Sequence, residues 1–130
     1  MKEKSDIILS VLKKELSPKT IYEKSGTSGK NEEGMAFKDG LLYGEPVKEL
    51  VTIRENGLSF YVDIQHGQKT GFYLDLRDVR RYVKANSTGK SCLNLGCYTG
   101  SISFAALAGG AMNVSSVDSS LPHLELLEKI

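Results

Sequence analysis

Near the start of the chain, Ile8, Val11, Leu12 and Leu16 recur at three- and four-residue steps. That spacing makes one apolar helix face, and Ser17-Pro18 closes it. "TIYEK" at 20–24 alternates and predicts a strand, and the polar, glycine-rich "SGTSGKNEEG" at 25–34 predicts a loop. Two hairpin signals follow, Asp39-Gly40 in "MAFKDGLLYG" and Asn56-Gly57 in "LVTIRENGLSFYVDI". Asn-Gly and Asp-Gly tolerate the positive φ angles of a tight two-residue turn. Leu58, Phe60, Val62 and Ile64 then share one face of a strand, as in a half-buried antiparallel sheet. "HGQKTG" breaks the pattern. "LDLRDVRRYVKAN" at 74–86 predicts a helix with Asp75 as its cap and Asp78 near its positive end. Leu76, Val79, Tyr82 and Val83 would be its buried stripe.

The pattern changes after residue 90. "SCLNL" reads as a short apolar strand, and "TGSISFAALAGG" as a small-residue helix ended by Gly109-Gly110. "MNVSSVD" reads as a second strand, and "SSLPHLELLEKI" as a second helix with Ser120 as its cap. Strand–helix–strand–helix is the start of a doubly wound parallel sheet. The predicted fold is therefore α/β, or α+β over the whole chain. Residues 1–65 would form a terminal helix plus a small antiparallel β-hairpin domain, and 66–130 an incomplete Rossmann-like domain.

Composition changes this picture little. The 130 residues are 40% hydrophobic and 25% charged, with net charge +1, which gives no global attraction to nucleic acid or membrane. Charge is locally uneven. Residues 66–90 carry six Lys and Arg against two Asp, whereas 91–130 carry one Lys against three acids. A basic stretch of that kind suits phosphates or a solvated helix face. Cys92 and Cys97 have no companions at metal-ligand spacing, so no metal site or disulfide framework is expected. No segment approaches a membrane span or a signal peptide, and a reduced, cytoplasmic protein is expected.

The chemistry lies in "CLNLGCYTGSIS", residues 92–103. A P-loop needs a glycine five positions before its Gly-Lys-Ser, but Lys84 stands there ahead of 89–91. A dinucleotide turn needs G-x-G-x-x-G, but Gly96 and Gly100 are four apart and Tyr98 fills the middle position, where its bulk would obstruct a pyrophosphate. A third reading is S-adenosylmethionine, which has no pyrophosphate. The turn resembles the first motif of class I methyltransferases, and Asp118, ending the next strand, sits where that family's acid accepts hydrogen bonds from ribose hydroxyls. The glycines alone would also serve tight strand-to-helix packing.

The upstream sequence is more specific. "GQKTGFYLDLRDVRRYV" at 67–83, then "YTGSIS" at 98–103 and "SVDSS" at 116–120, resembles the large-subunit ribosomal RNA cytosine-C5 methyltransferase family. "IYEKSGTSGKNEEGM" at 21–35 resembles the same family, and the likeness covers about residues 18–122. The family signature reads close to GQKTGF-x-LDQR-x-x-R, then YTGGFS and SVD-x-S. The resemblance implies a cofactor pocket in which Lys69, Thr70, Phe72, Asp75 and Arg77 line the methionine side. Asn94, Gly96, Tyr98 and Gly100 would form the turn, and Asp118 would hold the ribose. Three positions depart from the signature: Leu76 replaces a glutamine, Val79 a polar residue, and Ser101 the second glycine of the TGG turn.

The resemblance also implies parts this chain lacks. The family has a preceding PUA domain, and its cysteine nucleophile, which attacks C6 of cytosine to activate C5, lies beyond residue 130. No catalytic residue is expected here, since neither Cys92 nor Cys97 matches the nucleophile. Cys92 reads as a small buried apolar residue, and His66 and His123 have no evident partner. The expectation is a fragment of an RNA methyltransferase, not catalytic by itself, with ribosomal RNA as the parent's partner. The first strand of the parallel sheet would keep one unpaired edge, which predicts self-association. The alternative is a non-catalytic RNA- or protein-binding module with a vestigial pocket.

Overall fold

The computed structural model describes residues 2–24, 39–47 and 50–129. The loop expected at 25–34 and the apolar run before Asp39 lie outside the described residues. Helix α1 (Lys2–Leu16) carries Lys13 and Lys14 in its last turn, where cations suit the negative end of the helix dipole. Its end is set by Ser17, left-handed at φ 44, whose N–H donates to the Lys13 carbonyl at 3.1 Å. Strand β1 (Thr20–Glu23) pairs antiparallel with β2 (Gly40–Gly44). This corrects one hairpin expectation. Gly40 is a strand residue opposite Glu23, not the positive-φ residue of a turn, because β2 takes its partner from β1 instead.

The second hairpin forms as predicted. β3 (Val51–Glu55) and β4 (Leu58–Val62) pair antiparallel from Val51↔Val62 to Glu55↔Leu58. Asn56 and Gly57 between them have φ 51 and 79, the two left-handed residues that a tight turn of this kind requires. One face of β4 is buried. Phe60 and Val62 pack with Phe72 into the core, and Ile53, Leu58, Ile64 and Phe104 close around it. The Phe60 and Phe72 rings lie 5.3 Å apart. This core joins the hairpin to residues on both sides of the glycine turn.

The next helix differs from its expected form. A 3-10 turn (Leu74–Leu76) precedes α2 (Arg77–Asn86), and Leu76 holds the N-cap position without a side-chain bond, so Asp75 is not the cap. The expected apolar stripe holds only in part, with Leu76 and Val83 half-buried. Val79 and Tyr82 are 43% and 69% exposed, whereas Arg80 is 2% exposed. The reason is local charge compensation. The Arg80 guanidinium donates through Nε and Nη2 to the two carboxylate oxygens of Glu55, at 2.7 and 2.8 Å. A buried cation satisfied in this way displaces two apolar side chains from the packed face.

β5 (Ser91–Leu95), α3 (Ser101–Ala108), β6 (Asn113–Val117) and α4 (Leu121–Leu127) follow in the expected order. β5 and β6 are parallel, in register from Ser91↔Asn113 to Leu95↔Val117. α3 is the crossover and packs on α2. A Cβ at Gly109 would lie 2.1 Å from the Lys84 carbonyl oxygen, so that helix contact requires glycine. The side chains of Asn94, Ser103 and Ser116 link strands to α3, with Asn94 Nδ2 donating to Ser103 Oγ at 2.9 Å and Ser103 and Ser116 hydroxyls 2.7 Å apart. On the other face, Leu93, Leu95 and Val117 are exposed. Ser120 stands at the N-cap of α4 as expected, but its side chain makes no capping bond. No helix among the described residues is long and apolar enough to cross a membrane.

Candidate functional site

The turn after β5 is held in an uncommon backbone shape. Gly96, Tyr98 and Gly100 all have positive φ, at 67, 51 and 78. The Cys97 N–H reaches the Val117 carbonyl at 2.9 Å and ties the turn to the end of β6. The Gly100 N–H reaches the Cys97 carbonyl at 2.8 Å and closes the turn before α3. The two glycines differ. A Cβ on Gly100 would strike the Leu127 side chain at 2.4 Å, whereas one on Gly96 would meet nothing within 4 Å. The backbone at Gly96 therefore borders open space beside the C-terminal ends of β5 and β6. In open parallel sheets that is where ligands bind.

Tyr98 is the pivot of this region. Left-handed backbone costs a non-glycine residue roughly 1–2 kcal/mol, and strain of that kind persists where surrounding contacts over-determine it. Here the Tyr98 N–H donates to Asp118 Oδ2 at 2.7 Å. Its hydroxyl accepts the Gln68 N–H at 3.0 Å and donates to the Gly71 carbonyl at 3.3 Å. Its ring meets Tyr73 and His123 edge-on, with centroids 5.5 and 4.4 Å apart. Burial pushes the Tyr98 hydroxyl pKa up, which keeps it a proton donor. The side chain thus binds the glycine turn to the loop at 67–73.

That loop is itself tightly built. Gly67 donates to the Asp63 carbonyl at 3.1 Å, and Gly71 to the Gln68 carbonyl at 2.9 Å. A Cβ at Gly71, where φ is +86, would lie 2.4 Å from the Asp63 oxygen. Burial acts to raise the pKa of Asp63, but bonds from the His66 and Gln65 backbone and the facing His66 ring lower it overall.

Asp118 directly follows β6, with both oxygens oriented by backbone donors. Ser120 N–H donates to Oδ1 at 2.9 Å and Tyr98 N–H to Oδ2 at 2.7 Å. These two bonds, Ser120 first, hold its carboxyl below the usual carboxylate range, with the His123 ring adding to the effect. An ionised carboxylate has about four acceptor positions, so two remain for a pair of hydroxyls. His123 Nδ1 lies 3.6 Å from Oδ1 and is buried with no hydrogen-bond partner.

The residues implied by the resemblance are placed unequally. Gly96, Tyr98, Gly100 and Asp118 converge. Lys69 and Thr70 are exposed on the loop that Tyr98 grips, with Thr70 Oγ1 donating to the Phe72 carbonyl at 3.1 Å. Phe72 is buried in the core, and Asn94 is bonded to α3. Asp75 and Arg77 are exposed around the start of α2. Sequence reasoning missed His123, which has Tyr98 and Asp118 as neighbours, and gave no role to Arg80, the last arginine of the signature and part of the basic stretch. The buried cysteine is Cys97, not Cys92, which is only half-buried. Burial and then the Asp118 charge push the Cys97 thiol pKa up, away from nucleophilic thiolate. Among the described residues no group of three His, Cys, Asp or Glu could hold a metal ion.

A mixed α/β fold with a glycine turn and an oriented acid at the ends of adjacent parallel strands defines a class. The model of the S-adenosylmethionine-dependent methyltransferases matches residues 37–126, and the chain belongs to that family. Its relatives make the class narrower. It is 45% identical over 106 residues to ribosomal RNA large subunit methyltransferase I of Photobacterium profundum, covering 82% of this chain and 27% of that protein. It is 42% identical over 110 residues to the same-named protein of Yersinia pseudotuberculosis, covering 85% of this chain and 28% of that one. The chain thus spans about a quarter of the length of these curated relatives. Among solved structures, the methyltransferase-family protein SMU.776, complexed with SAH, superposes with a TM-score of 0.81 at 32% identity, covering 98% of this chain and 32% of that one. The family's cofactor fits this site. S-adenosylmethionine offers a ribose diol to an acid such as Asp118 and needs no pyrophosphate cradle, and the backbone beside Gly96 is open.

Proposed function

We propose that this chain is the cofactor-binding portion of an enzyme that methylates C5 of a ribosomal RNA cytosine. The observation that carries this reading is the Asp118 carboxylate, fixed by two backbone N–H groups beside the open turn at Gly96. In this reading Asp118 accepts the ribose hydroxyls. Gly96, Tyr98 and Gly100 shape the wall that the cofactor passes. Lys69, Thr70, Asp75 and Arg77 border its methionine side. Phe72 and Asn94 act from behind, by anchoring the loop and the strand. The bound cofactor supplies the methyl group. The division at about residue 65 belongs to the same proposal, with the hairpin part supporting the cofactor part.

In this reading Cys97 is not the nucleophile that activates cytosine, since it is buried with a raised pKa. The ribosomal RNA substrate is supported by the names of the relatives, and a cytoplasmic location is part of the same reading. Self-association is proposed at the edge of β5. A cavity of about 370 Å³ adjoins it, between residues 90–94 and Val114 on the sheet side and Tyr82 and Val83 of α2 with Ile102, Ser103 and Ala106 of α3 on the helix side. Such an edge accepts a strand from a second copy.

One observation favours the second reading, a non-catalytic RNA-binding module. Tyr82 is 69% exposed on α2 next to Arg81, and an exposed ring beside cations suits base stacking. Calorimetry with S-adenosylhomocysteine decides between them. Binding that is lost in Asp118→Ala supports the first. Absence of binding by the folded protein, together with salt-sensitive RNA binding, supports the second.

A further inference from the structure

We infer that Arg80 is a positioning residue for the cofactor site, acting through Tyr73 and Ser101; this rests on the cofactor reading above. The Arg80 side chain is 1% exposed, and its bidentate pair with Glu55 uses only Nε and Nη2. A simple strut between hairpin and helix would need nothing more. The third nitrogen, Nη1, reaches towards the site. It donates to the Tyr73 carbonyl at 2.9 Å and lies 3.5 Å from the Ser101 hydroxyl. The guanidinium also stacks over the Phe72 ring, 4.4 Å from its centroid.

Both targets of Nη1 adjoin the turn. The Tyr73 ring meets the Tyr98 ring, and the Tyr98 N–H holds Asp118. Ser101 is the first residue of α3, directly after Gly100. One planar group therefore sets the loop at 67–73 against the start of α3, the two walls between which Tyr98 is fixed. Ser101, where the family resemblance has glycine, supplies a hydroxyl that glycine lacks. The chain's departure at 101 thus faces the Arg80 nitrogen.

Three variants separate positioning from mere support. Lysine at 80 keeps a cation for Glu55 but has no planar fork to reach Tyr73 and Ser101 together. Glutamine at 55 weakens the ion pair but leaves Nη1 its two targets. The experiment is calorimetry with S-adenosylhomocysteine on the whole chain, below each variant's melting temperature. Wild type is expected to bind, and failure of the folded wild type to bind would overturn both the cofactor reading and this inference. Arg80→Lys is expected to bind about fivefold or more weakly, in line with coupling through packed neighbours. Glu55→Gln is expected to melt earlier but to keep its affinity within about twofold, because positioning by Nη1 survives. Equal affinity in Arg80→Lys and wild type would overturn the inference and leave Arg80 a strut. If Arg80→Lys does not fold, Ser101→Ala decides. It is expected to bind about twofold to threefold more weakly with an unchanged melting temperature, and unchanged affinity would overturn the inference.

Discussion

The hairpin β3–β4 and the parallel pair β5–β6 are both two-stranded, with five residues in each strand. They are used oppositely. The hairpin buries one face against Phe72 and Phe104, and its end carries Glu55 into a buried ion pair. The parallel pair covers one face with α3 through a polar ladder of Asn94, Ser103 and Ser116, and leaves Leu93 and Leu95 65% and 70% exposed on the other. The buried hydrophobic cluster therefore lies at the hairpin seam. The turn that carries Asp118's partner lies on the parallel pair and gains its fixed geometry from that seam, through Tyr98 and Arg80.

Glu55→Ala should weaken the hairpin seam most. It leaves the Arg80 guanidinium buried without its counter-charge and is expected to cost about 3–5 kcal/mol in denaturant unfolding. The same pair sets an acid dependence. Hydrogen bonding from Arg80, more than its charge, holds the Glu55 carboxyl below its ordinary value. A depressed carboxylate contributes stability that is present above its unfolded value and lost as pH falls through its folded value. Wild type should thus lose stability on acidification more steeply than Glu55→Gln, and parallel pH profiles would contradict the assignment. At the hairpin's other constraint, Gly57→Ala places a Cβ in open space but at φ +79, and about 1 kcal/mol is expected from backbone strain.

The smallest effect belongs to the open face. Leu95→Thr is expected to change stability by less than about 0.5 kcal/mol, because the side chain is already exposed. If that face and the adjoining β5 edge mediate association, sedimentation should show weaker self-association in the variant. A loss of stability like that of Glu55→Ala would show instead that the face is buried.

How much of this was legible in the chain follows from how local each cause is. Asn56-Gly57 could be read because a two-residue turn is decided by the two residues in it. The β5–α3–β6–α4 series could be read because each apolar run ends at its own glycine or cap. Asp39-Gly40 misled because β2 pairs with β1, across a separation that no dipeptide records. The α2 stripe misled for a similar reason. Arg80 is buried with Glu55, twenty-five residues earlier, as its counter-charge. At the site, Gly96, Gly100 and Asp118 were legible as a motif. Tyr98 was read as an obstacle to pyrophosphate, but its main contribution is the contact it makes with Gln68 and Gly71. His123 could not be found from sequence, since its neighbours Tyr98 and Asp118 meet it only after β6 and α4 have docked.

In the proposed function Asp118, held by the Tyr98 and Ser120 N–H groups, is the acid that recognises the cofactor's ribose. Titration calorimetry of S-adenosylhomocysteine into the wild-type chain and Asp118→Ala tests it directly. The expected result is one-to-one binding by the wild type and a loss of about tenfold or more in the variant, the magnitude of a hydrogen bond to a charged group. Equal affinity in the two folded proteins would contradict it.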